Sequence, residues 1–369
     1  MKPLGAIAFL SLVSFIVATH VARADVAIGV VGPMSGNFGI FGAQMVAGAE
    51  QAIADINAAG GVLGEKLILE AADDKCDRKQ AESVANQMVG HKAALVVGHL
   101  CSGASIVAAP TYNDAGIVQI SPGARAAQYT EERAGPGTFR LAGRDDQQGS
   151  IAGALLANRF ADSRIAVIHD DSPYGAALAE ATLKAMNDAG KREAIYEAHP
   201  ASNRDFTPLF SRLASERIDV LFFAGDHTEA ALIIRRLHED GFPIALVSGD
   251  TLMTEEFIAI AGEAGEGALM TYPPDPARNA AAADVVERMT QRDIVAEGYV
   301  LYAYAAIQAW AAAAEVAGST DFAAVSTALD EGTFETVLGP VRFDEKGDVR
   351  LPAYVIYQWH DGDYDYAPM

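Results

Sequence analysis

The chain has 369 residues, half of them apolar and only 8 % aromatic, and a formal charge of −22. That length allows two domains, and the composition fits a globular α/β protein with alanine-rich helices. So acidic a surface repels nucleic acid and anionic lipid, and no run of Lys or Arg interrupts it, so nucleic-acid binding is set aside.

The chain begins with Lys2, an apolar stretch from Leu4 to Ala18, and the pattern Ala22-Arg23-Ala24. These read as a signal peptide over residues 1–24, cut after Ala24. The stretch is short for a membrane span, which needs about 20 residues. A buried N-terminal helix is the competing reading. Cys76 and Cys101 are the only cysteines. In an exported chain such a pair is bridged, or else forms two buried free thiols. A bridge between them would stabilise the fold by roughly 3 kcal/mol.

From Asp25 onward short apolar runs alternate with helical patterns. Val26-Ala27-Ile28-Gly29-Val30-Val31 is continuously apolar, as expected of a parallel strand covered on both faces. Met45, Ala49, Ala52, Ile53 and Ile56 recur at three- and four-residue spacing and predict a helix over 39–59, ended by Gly60-Gly61. The alternation continues with strand 66–72, helix 78–90, strand 93–97, helix 102–115 and strand 117–120. A second series follows: helix 146–160, strand 164–169, helix 174–189, strand 193–199, helix 206–216, strand 219–223, helix 227–240, strand 244–248, helix 253–261 and strand 267–271. Helices over 280–293 and 299–317 and short strands within 334–359 complete the chain. Two βα series predict an α/β fold of two doubly wound parallel-sheet lobes. Breaks at Gly143-Arg144 and Pro273-Pro274 place residues 25–143 plus 275–350 in lobe 1 and 144–274 plus 351–369 in lobe 2, joined by a multi-strand hinge.

Catalytic templates are missing from this sequence. Gly29-Val30-Val31-Gly32 does not extend to G-x-G-x-x-G, and neither a phosphate loop, H-E-x-x-H, G-x-S-x-G nor C-x-x-C occurs. His169-Asp170-Asp171 ends a strand and reads as a solvated strand end rather than a metal site. No metal, cofactor or catalytic residue is expected.

Ligands of open α/β sheets bind beyond the carboxyl ends of the strands, and four such ends suit a small zwitterion. At Gly98-His99-Leu100-Cys101-Ser102-Gly103 a strand enters a helix, so free N–H groups and the Ser102 hydroxyl would seat a carboxylate. Ser102 capping its own helix is the alternative. At Ser121-Pro122-Gly123-Ala124-Arg125 small residues let backbone touch a ligand, with the Gly123 carbonyl open to an ammonium. Asp250, in Val247-Ser248-Gly249-Asp250, is either a counter-charge for an ammonium or an N-cap. Asp226 and Glu229 have capping-box spacing, which favours a structural reading of Asp226. Phe41, Tyr174 and Tyr299 lie near element starts, as core residues or pocket walls.

The chain resembles the type I periplasmic solute-binding proteins of ABC importers, in the leucine/isoleucine/valine-binding group. The likeness spans about residues 25 to 360. It is carried by Gly32-Pro33-Met34-Ser35-Gly36, Gly48-Ala49-Glu50-Gln51, Asp55-Ile56-Asn57-Ala58-Ala59-Gly60-Gly61, Gly98-His99-Leu100-Cys101-Ser102, Gly143-Arg144-Asp145-Asp146-Gln147-Gln148-Gly149, Tyr174-Gly175 and Phe343-Asp344-Glu345-Lys346-Gly347-Asp348. The resemblance implies the Cys76–Cys101 bridge. It places Ser102 on the α-carboxylate, Gly123 and Ala124 on backbone contacts, Asp250 on the α-ammonium, and Phe41, Leu100, Tyr174 and Tyr299 on the walls. It further implies a monomeric receptor in the periplasm that closes on an amino acid or related zwitterion and delivers it to an inner-membrane ABC permease.

Two positions depart from that pattern. Arg125 stands where the family usually has a ligand-contacting threonine, and Asp226 where it has an aromatic or apolar wall. Either Arg125 and Asp226 pair across the closing cleft, or Arg125 takes a ligand carboxylate while Asp226 meets a polar ligand end. A purely aliphatic side chain would leave those charges unpaired. Rival readings are a binder of an amide, urea or aromatic acid on the same fold, a ligand sensor for a membrane receptor, and an exported enzyme.

Overall fold

The computed structural model describes residues 25–200, 205–242, 244–350 and 354–367; the expected signal peptide lies outside the described residues. The first series runs β1 (Val26–Gly32), α1 (Gly39–Ala58), β2 (Leu67–Asp73), α2 (Arg78–Gly90), β3 (Leu95–Gly98), α3 (Ser102–Ala115), β4 (Val118–Ser121), α4 (Gln128–Glu131) and β5 (Thr138–Arg140). The second runs α5 (Asp145–Arg159), β6 (Ile165–His169), α6 (Pro173–Asp188), β7 (Ile195–Ala198), α7 (Thr207–Ser215), β8 (Val220–Ala224), α8 (His227–Glu239), β9 (Ala245–Ser248), α9 (Glu255–Ala261) and β10 (Leu269–Tyr272). After them come α10 (Ala283–Thr290), α11 (Val300–Ala317), α12 (Phe322–Glu331), β11 (Phe334–Thr336), β12 (Gly339–Val341), β13 (Val355–His360) and β14 (Asp363–Tyr366).

The strands form two main sheets in two lobes. One has the order β2-β1-β3-β4-β5, all parallel. The other has the order β14-β13-β10-β9-β8-β6-β7, parallel from β10 to β7, with β13 and β14 added antiparallel at one edge. In both, the first strand of the series lies between the second and third. Each sheet therefore reverses direction there and opens a crevice at the carboxyl ends of its strands. The continuous apolar runs are the buried strands: every residue of β1, β3, β4, β6 and β8 is buried.

Local chemistry sets the helix ends beside the cleft. Asp77 caps α2 by accepting from the Gln80 N–H, and Ser172 caps α6, with Pro173 in its first turn. Thr254 caps α9, which is why that helix begins at Glu255 rather than at 253. The helix expected over 280–293 is shorter than its pattern. Asp275 and Asn279 side chains cap two 3₁₀ turns, and only Ala283–Thr290 is α-helical. β5 and α4 were not anticipated, being too short for a periodic signal, and β14 extends past 359. α11 is apolar all round because it is enclosed, with buried residues from Val300 to Ala314. It packs on α1, and a Cβ at Gly48 would lie 1.9 Å from the Val300 carbonyl oxygen, so only glycine permits this approach. Cys76 and Cys101 are disulfide-bonded, which fastens the loop before α2 to the start of α3.

Candidate functional site

The carboxyl ends of the two sheets face one another across a cavity of ≈ 360 Å³. The first lobe contributes Phe38 and Phe41 from the start of α1, Arg78 from α2, and Leu100, Ser102, Gly103 and Gly123 from the ends of β3 and β4. The second contributes Asp170, Ser172, Pro173, Tyr174, Asp226, Asp250 and Thr251 from the ends of β6, β8 and β9, and Tyr299 precedes α11. Of the residues expected at a ligand, Ser102, Gly123, Asp250, Phe41, Leu100, Tyr174, Asp226 and Tyr299 share this cavity. Ala124 and Arg125 do not line it.

The wall around Ser102 is rigid. Its Oγ accepts from the backbone N–H groups of Arg125 and Ala126, both at 3.0 Å. Both hydroxyl lone pairs are thereby engaged and the proton remains to donate. The alternative that Ser102 caps its own helix does not hold, since Cys101 occupies the cap position. The first N–H groups of α3 have no intrahelical partner and carry the positive end of the helix dipole. Ser121 Oγ accepts from the Ala124 N–H (2.9 Å) and donates to the His99 carbonyl (2.6 Å). From the far side, buried Arg140 donates to the carbonyls of Ala124 and Ala126 at 3.2 and 2.8 Å and pairs with Asp348.

Arg125 departs from both expectations. It does not pair with Asp226, and it does not face the cavity. Its side chain turns toward Asp250, to whose Oδ2 its Nε donates at 2.6 Å. Nη1 donates to the Tyr354 hydroxyl at 2.6 Å and to the Gly143 carbonyl at 3.5 Å. The Tyr272 and Tyr354 rings lie 5.7 and 5.5 Å from Cζ. One guanidinium thus lies beside Gly143, Tyr272 and Tyr354, which are far apart in the chain. Asp226 instead accepts from the Asn37 side chain (2.7 Å) and caps α8 through the Thr228 N–H (2.6 Å). Its position at the helix start commits one oxygen to the backbone and leaves Arg125 a nearer acid.

Asp250 is not an N-cap. It is 2 % exposed and accepts four side-chain donors: Gln148 Nε2 (2.9 Å) and Tyr174 OH (2.8 Å) on Oδ1, Arg125 Nε and Tyr299 OH (2.7 Å) on Oδ2. Burial pushes its carboxyl up, but the Arg125 charge and the neutral donors outweigh burial and hold it below the ordinary value. Burial raises Tyr174 and Tyr299 well above the usual phenol range, so both stay protonated donors. Asp170 corrects another expectation. It is 7 % exposed rather than a solvated strand end, and Oδ1 accepts from the Ser172 N–H (3.0 Å) and Oγ (2.6 Å). Sequence reasoning missed Asn37, Tyr354 and the role of Gln148. Only Gln148 lay in a flagged motif, and nothing local marks the other two.

Asp145, the first residue of α5, donates its N–H to the Arg125 carbonyl at 3.0 Å. Burial pushes its carboxyl up to about 6, with the Arg140 charge a partial offset. The folded value exceeds the unfolded one, so the ionised form is penalised above about pH 6 and the penalty vanishes as the pH falls toward the unfolded pKa. Asp145→Asn is therefore expected to melt higher than the wild type at about pH 8, with the advantage gone near pH 4. Melting curves at the two pH values check this, and a pH-independent difference would refute it.

Residues 25–363 match the family model described as periplasmic binding protein. The chain is 44 % identical over 349 residues to the Leu/Ile/Val-binding protein homolog 1 of Brucella suis biovar 1, covering 94 % of each. Among solved structures it superposes on a leucine-binding protein LivK from Thermotoga maritima with a TM-score of 0.84 at 24 % identity, covering 93 % of this chain and 98 % of that one. It also superposes on LivJ from Streptococcus pneumoniae in complex with isoleucine, with a TM-score of 0.83 at 22 % identity, covering 92 % and 98 %.

Proposed function

Because the chain belongs to the periplasmic binding protein family, we propose that it captures an amino acid or close relative between its lobes and presents it to an inner-membrane ABC permease. The observation that carries this reading is the cavity itself. One wall offers a hydroxyl and helix-start N–H groups, an anion seat, and the facing wall carries buried carboxylates. Zwitterions match such a pair of walls. The relatives named for leucine, isoleucine and valine support the amino-acid class. The protein is taken as a monomer exported with cleavage after Ala24. The moving bodies are residues 25–143 plus 275–350 and 144–274 plus 351–369. Ligand contacts made by both lobes at once would favour the closed state.

A thermal-shift panel of amino acids, amides, urea and aromatic acids tests the reading. A matching zwitterion at about a hundred times its Kd stabilises the fold by about 2.7 kcal/mol. Stabilisation by an amide or aromatic acid, with no amino acid active, would replace the proposal with that rival class.

A further inference from the structure

We propose that the two lobes latch to each other through their own side chains, with Asn37 against Asp226 as the rim contact. The closed form then predominates before any ligand arrives, and ligand entry waits on release of this contact. The latch goes beyond the receptor reading above and takes from it only that the lobes move as two bodies.

The rim contact joins the facing ends of the two sheets. Asn37 lies in the loop between β1 and α1, and Asp226 follows β8 of the other sheet. Asn37 Nδ2 donates to Asp226 Oδ2 at 2.7 Å. Both partners are held ready for it. The Asn37 loop is braced where the Met34 N–H and Ser35 Oγ donate to Asp73 at 2.9 and 2.5 Å. Asp226 Oδ1 accepts the Thr228 N–H at 2.6 Å, so the start of α8 sets where Oδ2 points. An ionised acceptor makes such a bond stronger than one between neutral groups. Asn37 is exposed while Asp226 is 3 % exposed, which puts the bond at the cavity's edge.

The neighbouring residues reinforce it. Phe38 and Phe41, from α1, meet the His227 ring of α8 edge-on, with centroids 6.3 and 5.3 Å apart. Phe41 is 1 % exposed and His227 is fully buried. Parting the lobes would bring both rings to water, so the hydrophobic effect favours closure here. Elsewhere on the cavity wall the starts of α3 and α6 touch, since a Cβ at Gly103 would fall 3.2 Å from Pro173 Cγ. Opposite charges meet at a further point, where Arg125, after β4, bonds Asp250, after β9 of the other sheet.

All these contacts join groups of the chain itself, so they favour the closed form whether or not a ligand is bound. A ligand shifts the lobes only by its differential affinity for the two forms. Where the closed form already predominates, binding moves the lobes little. Only the open fraction admits a ligand, so association is slow.

Small-angle X-ray scattering tests the latch with no ligand present. Bound molecules are first stripped with guanidinium, and the refolded protein is checked by mass spectrometry. The stripped wild type is expected to match the profile calculated from the closed structure. Asn37→Asp sets a second carboxylate against Asp226. At pH about 8 and low salt, the lost bond and the like-charge repulsion should raise the open-to-closed ratio roughly tenfold or more, read as a larger radius of gyration. About 1 M salt should reverse part of that expansion by screening the repulsion. Asn37→Ala loses the bond without adding charge, and its radius should fall between those of Asn37→Asp and the wild type. Both variants should keep the wild-type circular dichroism, because Asn37 is an exposed loop residue. A stripped wild type already expanded beyond the closed profile overturns the latch. So does an Asn37→Asp radius equal to that of the wild type. Neither result touches the receptor reading, which stands or falls on the thermal-shift panel.

Discussion

Asp250→Ala is expected to lose about 3–5 kcal/mol of folding stability, because it strands a buried cation. Arg125 is 1 % exposed, and its Nε donates to Asp250. Removing the acid leaves the guanidinium among Tyr272, Tyr299 and Tyr354, whose hydroxyls and rings do not replace a full negative charge. Asp250→Leu combined with Arg125→Met should recover most of the loss, since apolar replacement of both members of a buried pair is often neutral or better. Denaturant midpoints of the single and double variants measure the difference. A wild-type midpoint for Asp250→Ala would show that the pair does not support the fold. The pH dependence follows from the depressed Asp250 pKa. Its stabilisation is complete above the ordinary carboxylate pKa and is lost only as the pH falls through the lower folded value. Near neutrality the pair holds constant.

Gly48→Ala is the second large effect, and its cause is steric. The added methyl would sit 1.9 Å from the Val300 oxygen and 2.8 Å from its carbon, both backbone atoms that no rotamer change can move. α1 and α11 must separate, at a cost of about 1–3 kcal/mol or more for overpacking. Phe41 lies two turns before Gly48 on the same face of α1, and Tyr299 immediately precedes Val300; their rings meet at 5.4 Å. Separation should therefore also pull Tyr299 from Asp250 and loosen the cavity wall. A fall in both melting temperature and ligand affinity is expected from calorimetry. Unchanged values for both would mean that the helices can shift at no cost.

The contrast between Asp250 and Asp226 shows how far reasoning along the chain reaches. Capping-box spacing correctly favoured a structural role for Asp226, because an N-cap depends on residues one turn away. The same logic offered a cap at Asp250 and was wrong there, because four donors from other parts of the chain claim that carboxylate. Arg125 was legible as unusual, a long cation among small residues at a strand end. Its partner was not, because the candidate acids lie on neighbouring strands of the opposite lobe, and local spacing carries no sheet order. Asp170 was misread for a related reason: its carboxylate is enclosed by Ser172 and by Gly175 and Gly225, and Gly225 follows a neighbouring strand whose place in the sheet the local spacing does not carry.

The amino-acid sequence alone determined the two βα series, and with them the parallel sheets and the strand ends where a ligand site belongs. Continuous apolar runs and helical periodicity record burial within each element, and burial is local in origin. The tertiary structure decided which charges meet. Arg125 chose Asp250 over Asp226 because lobe packing set their separation, and in a desolvated cleft electrostatic pairing depends on angstrom distances that no spacing along the chain encodes.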